Sequence, residues 1–143
     1  MERYEEERTA DAPIDLCWQV LTDPDEAPAW VPFVSSASAD GEPGEGRHLY
    51  VRASLLGISA EAEQVVDVWE PPNIYGWTGS RPFPTQLRVE LDASGPATTR
   101  ILAAVETDPF GFVPLARGLV HRTVRRQFAR SADALVDLLE QRA

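Results

Sequence analysis

The chain has 143 residues, enough for one domain that buries roughly two-thirds of its unfolded surface. Its formal net charge is −10, which argues against a nucleic-acid partner, because phosphate contacts need a positive footprint. Cys17 is the single cysteine, so no disulfide forms within the chain and a Cys-based metal site is disfavoured.

All thirteen basic residues are Arg, a bias of composition more than a mark of function. The opening Met1-Glu2-Arg3-Tyr4-Glu5-Glu6-Glu7 lacks the basic and then apolar regions of a signal peptide. No apolar run reaches the length of a membrane span, and a cytoplasmic protein without stable membrane insertion is the expectation. No repeat, low-complexity segment or linker divides residues 1–143, which read as one domain.

In chain order, residues 2–10 read as a first strand near a sheet edge. Pro13 and Asp15 then suit the first turn of a helix, with Ile14, Cys17, Trp18 and Leu21 as its apolar side. Residues 22–26 restart a second short helix that Pro28 limits to about a turn or two. Trp30-Val31-Pro32-Phe33-Val34 leads into a strand that ends at Asp40-Gly41. The Gly- and Pro-rich stretch 41–46 is a loop.

Strands over 47–55 and 58–69 flank Leu56-Gly57, a tight hairpin turn that would set Arg52 opposite Glu61. Further strands follow over 74–78, 86–91 and 98–107. Leu87, Val89 and Leu91 share one face, as do Ile101, Ala103 and Val105, and Arg100 is placed opposite Glu90. The last stretch, 110–141, opens with Gly111 and Pro114. It then repeats Val113, Val120, Val124, Phe128, Ser131, Leu135 and Leu138 at helical spacing. Such a helix is roughly 40 Å long.

An antiparallel meander with one apolar face needs a cover, and only the last helix is long enough to supply it. The expected class is therefore α+β, a curved antiparallel sheet wrapped around a long C-terminal helix, with two short helices after the first strand. Arg122, Arg126 and Arg130 project opposite the helix's apolar stripe and Arg125 to its side, as a solvated face. Arg117 and His121 project to the apolar side, where polar groups need partners or a cavity. Small residues at Ala60, Ala62, Gly76 and Ala103 leave room between sheet and helix. A cavity and a close-packed core are both open at this point.

The element order resembles the START-like or SRPBCC superfamily, specifically its bacterial polyketide cyclase/dehydrase-like branch. The resemblance spans the chain. It rests on Ala12-Pro13-Ile14-Asp15-Leu16-Cys17-Trp18-Gln19-Val20-Leu21-Thr22-Asp23-Pro24, on Trp30-Val31-Pro32, on Val68-Trp69-Glu70-Pro71-Pro72, and on the closing amphipathic helix. It implies a helix-grip fold, the START or Bet v 1-like arrangement, with a deep apolar pocket between sheet and long helix. It implies nothing as definite about chemistry, since members bind, carry, cyclise or dehydrate different ligands.

The residues carry no metal-ligand spacing, no phosphate loop and no Gly-x-Ser-x-Gly elbow, so no metal and no cofactor is expected. His121 is the acid–base candidate because imidazole titrates near neutral pH. Arg117, one turn earlier, would steady an enolate, phenolate or carboxylate. Tyr50, Tyr75 and Glu106 are assigned by alternation to the face away from the apolar residues. A structural role for His121, hydrogen-bonded to backbone or carboxylate, is the competing reading.

Trp30, Phe33, Phe83, Phe110 and Phe112 lie beside loops and helix junctions, where they either gate a pocket or close the core; Trp18 and Trp69 read as packing residues. The expected ligand-contacting set thus combines Trp30, Phe33, Phe83, Phe110 and Phe112 with Ala60, Ala62, Gly76, Val89 and Ala103. From the helix it adds Arg117, Val120, His121 and Val124. The leading expectation is a protein that binds a hydrophobic small molecule: a polyketide, lipid, isoprenoid or aromatic metabolite. A cyclase or dehydratase using His121 and Arg117 is the rival. A quinone or lipid carrier using the apolar 110–113 patch is a third reading.

Overall fold

In a computed structural model the chain is described over residues 1–55, 57–108 and 116–143. Strand β1 (Glu2–Ala10) is followed by helix α1 (Ile14–Thr22), a single 3-10 turn at Pro24–Glu26 and the short helix α2 (Ala27–Trp30). Six strands follow: β2 (Val34–Asp40), β3 (His48–Leu55), β4 (Ile58–Glu70), β5 (Ile74–Arg81), β6 (Thr85–Gly95) and β7 (Thr98–Thr107). Helix α3 (Arg117–Arg142) closes the chain.

The seven strands form one antiparallel sheet in the order β1-β7-β6-β5-β4-β3-β2. The α1–α2 segment therefore carries the chain from one edge of the sheet to the other, and the meander returns to lay β7 beside β1. The turn into β4 is tight because Leu55 pairs with Ile58 and Gly57 takes φ 78°, a left-handed conformation that suits glycine. Leu56 itself lies outside the described residues.

Alternation along the strands sorts side chains into two layers. Leu87, Val89 and Leu91 face the same way as Val105, Ala103 and Ile101, their partners across β6 and β7. This inner face is the one α3 crosses. On the helix, Val120, Thr123, Ser131, Leu135 and Leu139 are buried, whereas Arg122, Arg125, Arg126 and Arg130 are exposed. The last turn buries Leu139 fully and Leu138 only in part.

The core is strongest beneath α1 and the C-terminal half of α3. There Trp18, Trp69 and Tyr75 pack edge to face at centroid distances of 5.1, 6.0 and 6.1 Å, a favoured aromatic geometry. The expected packing role of Trp18 and Trp69 matches this arrangement. Thr99, wholly buried, ties β7 to the α1 approach by donating to the Ala12 carbonyl at 2.8 Å.

Two cross-strand expectations meet different outcomes. Arg52 stands opposite Glu61 and bonds it at 2.7 Å. Arg100 instead stands opposite Asp92 and pairs with Glu7 of β1 at 2.6 Å, because β1 lies on the other side of β7 and offers its own carboxylates there.

Candidate functional site

Between the inner face of the sheet and α3 lies a cavity of about 280 Å³. Its floor is supplied by small or apolar side chains that share the inward phase of their strands. These are Ala37 of β2, Leu49, Val51, Ala53 and Leu55 of β3, and Ala60 and Ala62 of β4. Tyr75 and Trp77 of β5, Leu87 of β6 and Val105 of β7 continue the floor. The roof comes from Val124, Gln127, Phe128 and Ser131 of α3, with Leu21 of α1 and Trp30 of α2. Phe33 and Phe83 complete it from the connecting segments.

The cavity has a sequence cause. Each alanine at an inward position removes the bulk that a leucine or phenylalanine would use to reach α3. The helix meets β1, α1 and α2 instead, and the β2–β5 half of the sheet stands away from it. Half-buried inner-face residues such as Ala60, Ala62 and Val51 record that gap.

The wall is mostly apolar, and several of its hydroxyls are already satisfied by protein. Thr22 Oγ1 donates to the Trp18 carbonyl at 2.8 Å, Ser131 Oγ donates to the Gln127 carbonyl at 3.0 Å, and Thr85 and Thr107 share a hydrogen bond at 3.0 Å. Burial pushes the Tyr75 phenol up to about 12, against a small opposing pull from Arg47, so it is neutral at physiological pH. Asp23 and Arg81 also border the cavity, and both are exposed. No cluster of three or more His, Cys, Asp or Glu suited to a metal occurs among the described residues.

Of the residues expected to contact a ligand, Trp30, Phe33, Ala60, Ala62, Phe83 and Val124 line this cavity. Val89 and Ala103 do not; they line a separate void of about 40 Å³ under β1 and α3. Leu21, Trp30, Leu87, Phe128 and Ser131 border both spaces, so they form the partition. Phe110 and Phe112, like Val113 and Pro114, lie outside the described residues.

Gly76 is placed on the other face of the sheet. It pairs with Val68 and Arg88, and a Cβ there would fall 2.6 Å from Arg88 Nη1 and 2.8 Å from the Leu87 carbonyl oxygen. Tyr75 accordingly faces inward, buried at 4% exposure, against the face that simple alternation assigned. The pairing of β5 with β6 is the cause: it runs without a shift, Tyr75 opposite Val89 and Trp77 opposite Leu87, so Tyr75 takes their inward face. The register shift between Val66 and Val68 reverses the phase of β4 and sets Trp69 directly opposite Tyr75. Tyr50 and Glu106 do lie on the outer face, where Tyr50 opposes Glu63 and Glu106 bonds Arg3.

His121 and Arg117 are not among the wall residues. Arg117 begins α3 and is exposed. His121 turns toward β1, where its Nδ1 lies 2.9 Å from the Tyr4 hydroxyl and its Nε2 lies 2.8 Å from Arg125 Nη2. A guanidinium only donates, so Nε2 accepts, and a neutral ring must carry its proton on Nδ1 and donate it to Tyr4. Tyr4 is 5% exposed, and burial raises its phenol above the ordinary value. The partner of His121 is thus a tyrosine and an arginine, not the backbone or carboxylate expected. Val120 is fully buried and also off the wall.

Gln64, Gln127, Tyr75, Trp77 and Phe128 are wall residues absent from the expected set. Gln64 carried a signal, since it is the polar member of an otherwise apolar phase, Ala60, Ala62, Gln64, Val66. Gln127 carried none, because a glutamine beside four arginines reads as part of a solvated face.

The overall arrangement recurs in known structures. A START superfamily protein from Mycobacterium smegmatis superposes with a TM-score of 0.82 at 14% identity, over 99% of each chain. The Zhui aromatase/cyclase from a Streptomyces species superposes at 0.81 with 17% identity, over 99% of this chain and 94% of that one. A protein from Thermus thermophilus gives 0.81 at 15% identity over 99% of both. At these identities the likeness concerns the fold alone, which is the helix-grip fold. No protein of curated function matches the chain in sequence. The family described as polyketide cyclase/dehydrase and lipid transport matches residues 1–140, and with that match, a long helix over a curved seven-stranded sheet and the cavity between them, the chain belongs to that family.

Proposed function

We propose that residues 1–143 act as one ligand-binding domain that holds a hydrophobic small molecule between the sheet and α3. The observation that carries this reading is the cavity itself: about 280 Å³, walled by alanines and aliphatic or aromatic side chains. Its volume falls near the lower end of the range of small-molecule sites. Apolar surface transferred there from water contributes roughly 25 cal/mol per Å², which suits a one- to three-ring or branched-chain ligand. The Zhui protein's description as an aromatase/cyclase and the family's description agree with such a ligand.

A cyclase or dehydratase reading with His121 as proton carrier and Arg117 as anion stabiliser has less support. Both His121 nitrogens are engaged by Tyr4 and Arg125, and the ring lies off the wall. Binding is therefore the preferred function.

The test is titration of the purified chain with the uncharged dye N-phenyl-1-naphthylamine, alongside native mass spectrometry of fresh material. The reading expects saturable fluorescence enhancement, and a co-purifying apolar molecule would name the class. Failure of the dye to bind the ligand-free chain would overturn it.

A further inference from the structure

The polar groups of the cavity wall fall into two sets. Thr22, Ser131, Thr85 and Thr107 have their hydroxyls closed by protein partners. Gln127 and Trp30 each keep a buried atom without such a partner among the described residues, and Gln64, Tyr75 and Trp77 also carry polar groups on the wall. The Gln127 Oε1 and Trp30 Nε1 atoms are buried with no hydrogen-bond partner among the described residues. Gln64 is half-buried on the same wall.

Unpaired polar groups in an apolar enclosure cost free energy, and a leucine at these positions would avoid that cost at similar volume. Gln64 is held in place by its neighbours. It stands opposite Leu49 on one side and Gly79 on the other, both of them wall residues. A Cβ at Gly79 would lie 3.1 Å from Gln64 Cγ and 2.9 Å from the Glu63 carbonyl oxygen. The glycine therefore leaves the space that the Gln64 chain occupies on the inner face.

Gln127 comes from the opposite wall, on α3. Its terminal torsion is soft, so its amide turns toward a ligand at small cost. Each amide offers both a donor and an acceptor, and the Trp30 indole offers a donor. None of the three is charged, and the ionisable residues that border the cavity at its exposed parts are Asp23 and Arg81.

Building on the ligand-binding reading above, we infer that Gln64 and Gln127 are the specificity-determining residues of the cavity, and that the ligand is an uncharged ring-sized molecule bearing carbonyl or hydroxyl oxygen on its body. A carbonyl accepts from an amide N–H or from the indole; a hydroxyl accepts from one wall and donates to the other. A plain hydrocarbon leaves the amides unpaired. A buried carboxylate finds no cation in the cavity interior among the described residues.

The experiment displaces N-phenyl-1-naphthylamine with three probes of one size: the hydrocarbon tetralin, its ketone 1-tetralone, and the anion 2-naphthoate. They are compared on the wild-type chain, Gln64→Leu and Gln127→Leu, with thermal unfolding recorded for each variant. The ketone prefers water more than the hydrocarbon does, so an unassisted cavity would rank tetralin well ahead. The expectation is that wild type narrows this gap and rejects naphthoate. Either leucine variant should weaken 1-tetralone by roughly three- to tenfold, the scale of one hydrogen bond, while tetralin holds or tightens.

An unchanged ratio of ketone to hydrocarbon affinity across wild type and both variants overturns the inference, as does tighter binding of naphthoate than of 1-tetralone. If one variant fails to fold, the other decides. Those outcomes presuppose that the dye binds; if it does not, it is the ligand-binding reading that fails.

Discussion

Replacing Ala62 by Phe separates a cavity from a packed core by the sign of its effect. Ala62 sits on the inner face of β4 opposite Val51, and both line the cavity. The substitution adds roughly 100 Å³ of side chain, about a third of the available space. At ~24 cal/mol per Å³ of cavity volume, filling that space is worth up to ~2 kcal/mol. For a domain of this size that is a rise of about 4–8 °C in the unfolding midpoint, reduced by whatever off-rotamer strain the ring incurs. The same substitution at Ala10, which is fully buried in the core cluster, should cost at least ~1–3 kcal/mol by overpacking. Differential scanning calorimetry of both variants gives the stabilities, and N-phenyl-1-naphthylamine titration gives the site. Ala62→Phe should keep or raise the midpoint and weaken the dye at least about tenfold, because the ring occupies the volume the dye needs. A loss of stability like that at Ala10, or unchanged dye affinity, refutes the reasoning.

Two further outcomes follow from the polar groups. The Tyr75 phenol is raised from 10.0 to about 12 by burial, so the fold favours its protonated form. That stability is fully present below pH 10 and is lost as pH rises from 10 toward 12, by about 2–3 kcal/mol at most. Urea denaturation across that window should show the fall in wild type and a shallower one in Tyr75→Phe; parallel slopes would count against it. Tyr4→Phe removes the hydroxyl bonded to His121 and should cost ~1 kcal/mol. Since neither residue lines the cavity, dye affinity should stay within about twofold in Tyr4→Phe and His121→Ala. A large loss of binding in both would return His121 to the site.

Much of the fold is legible from local pattern. Leu87, Val89 and Leu91 alternate because one face of β6 is buried and the other wet, and period two is all a reader needs to place them. The same holds for Ile101, Ala103 and Val105, and the arginines of α3 announce their solvated face. The tight turn at Gly57 and the Arg52–Glu61 pair follow from a short apolar hairpin. Part of the expected wall, Ala60 and Ala62, was legible for a related reason: small residues in an inward phase leave space beside the strand.

What local pattern does not carry is phase after a bulge and direction after a turn. The pairing with β6 sets Tyr75 inward beside Val89 and Gly76 beneath Arg88, and the register shift between Val66 and Val68 turns Trp69, not Val68, toward Tyr75. A helical projection gives the azimuth of His121 but not what stands at that azimuth, and the neighbour proves to be Tyr4 on the edge strand. Sequence alone determined that a curved sheet would be covered by one long helix, because an apolar face and an apolar stripe of those lengths must meet. Only the tertiary structure decided that they meet along β1 and part over β2–β5, since a cavity is the gap left between distant elements and no single stretch of chain encodes it.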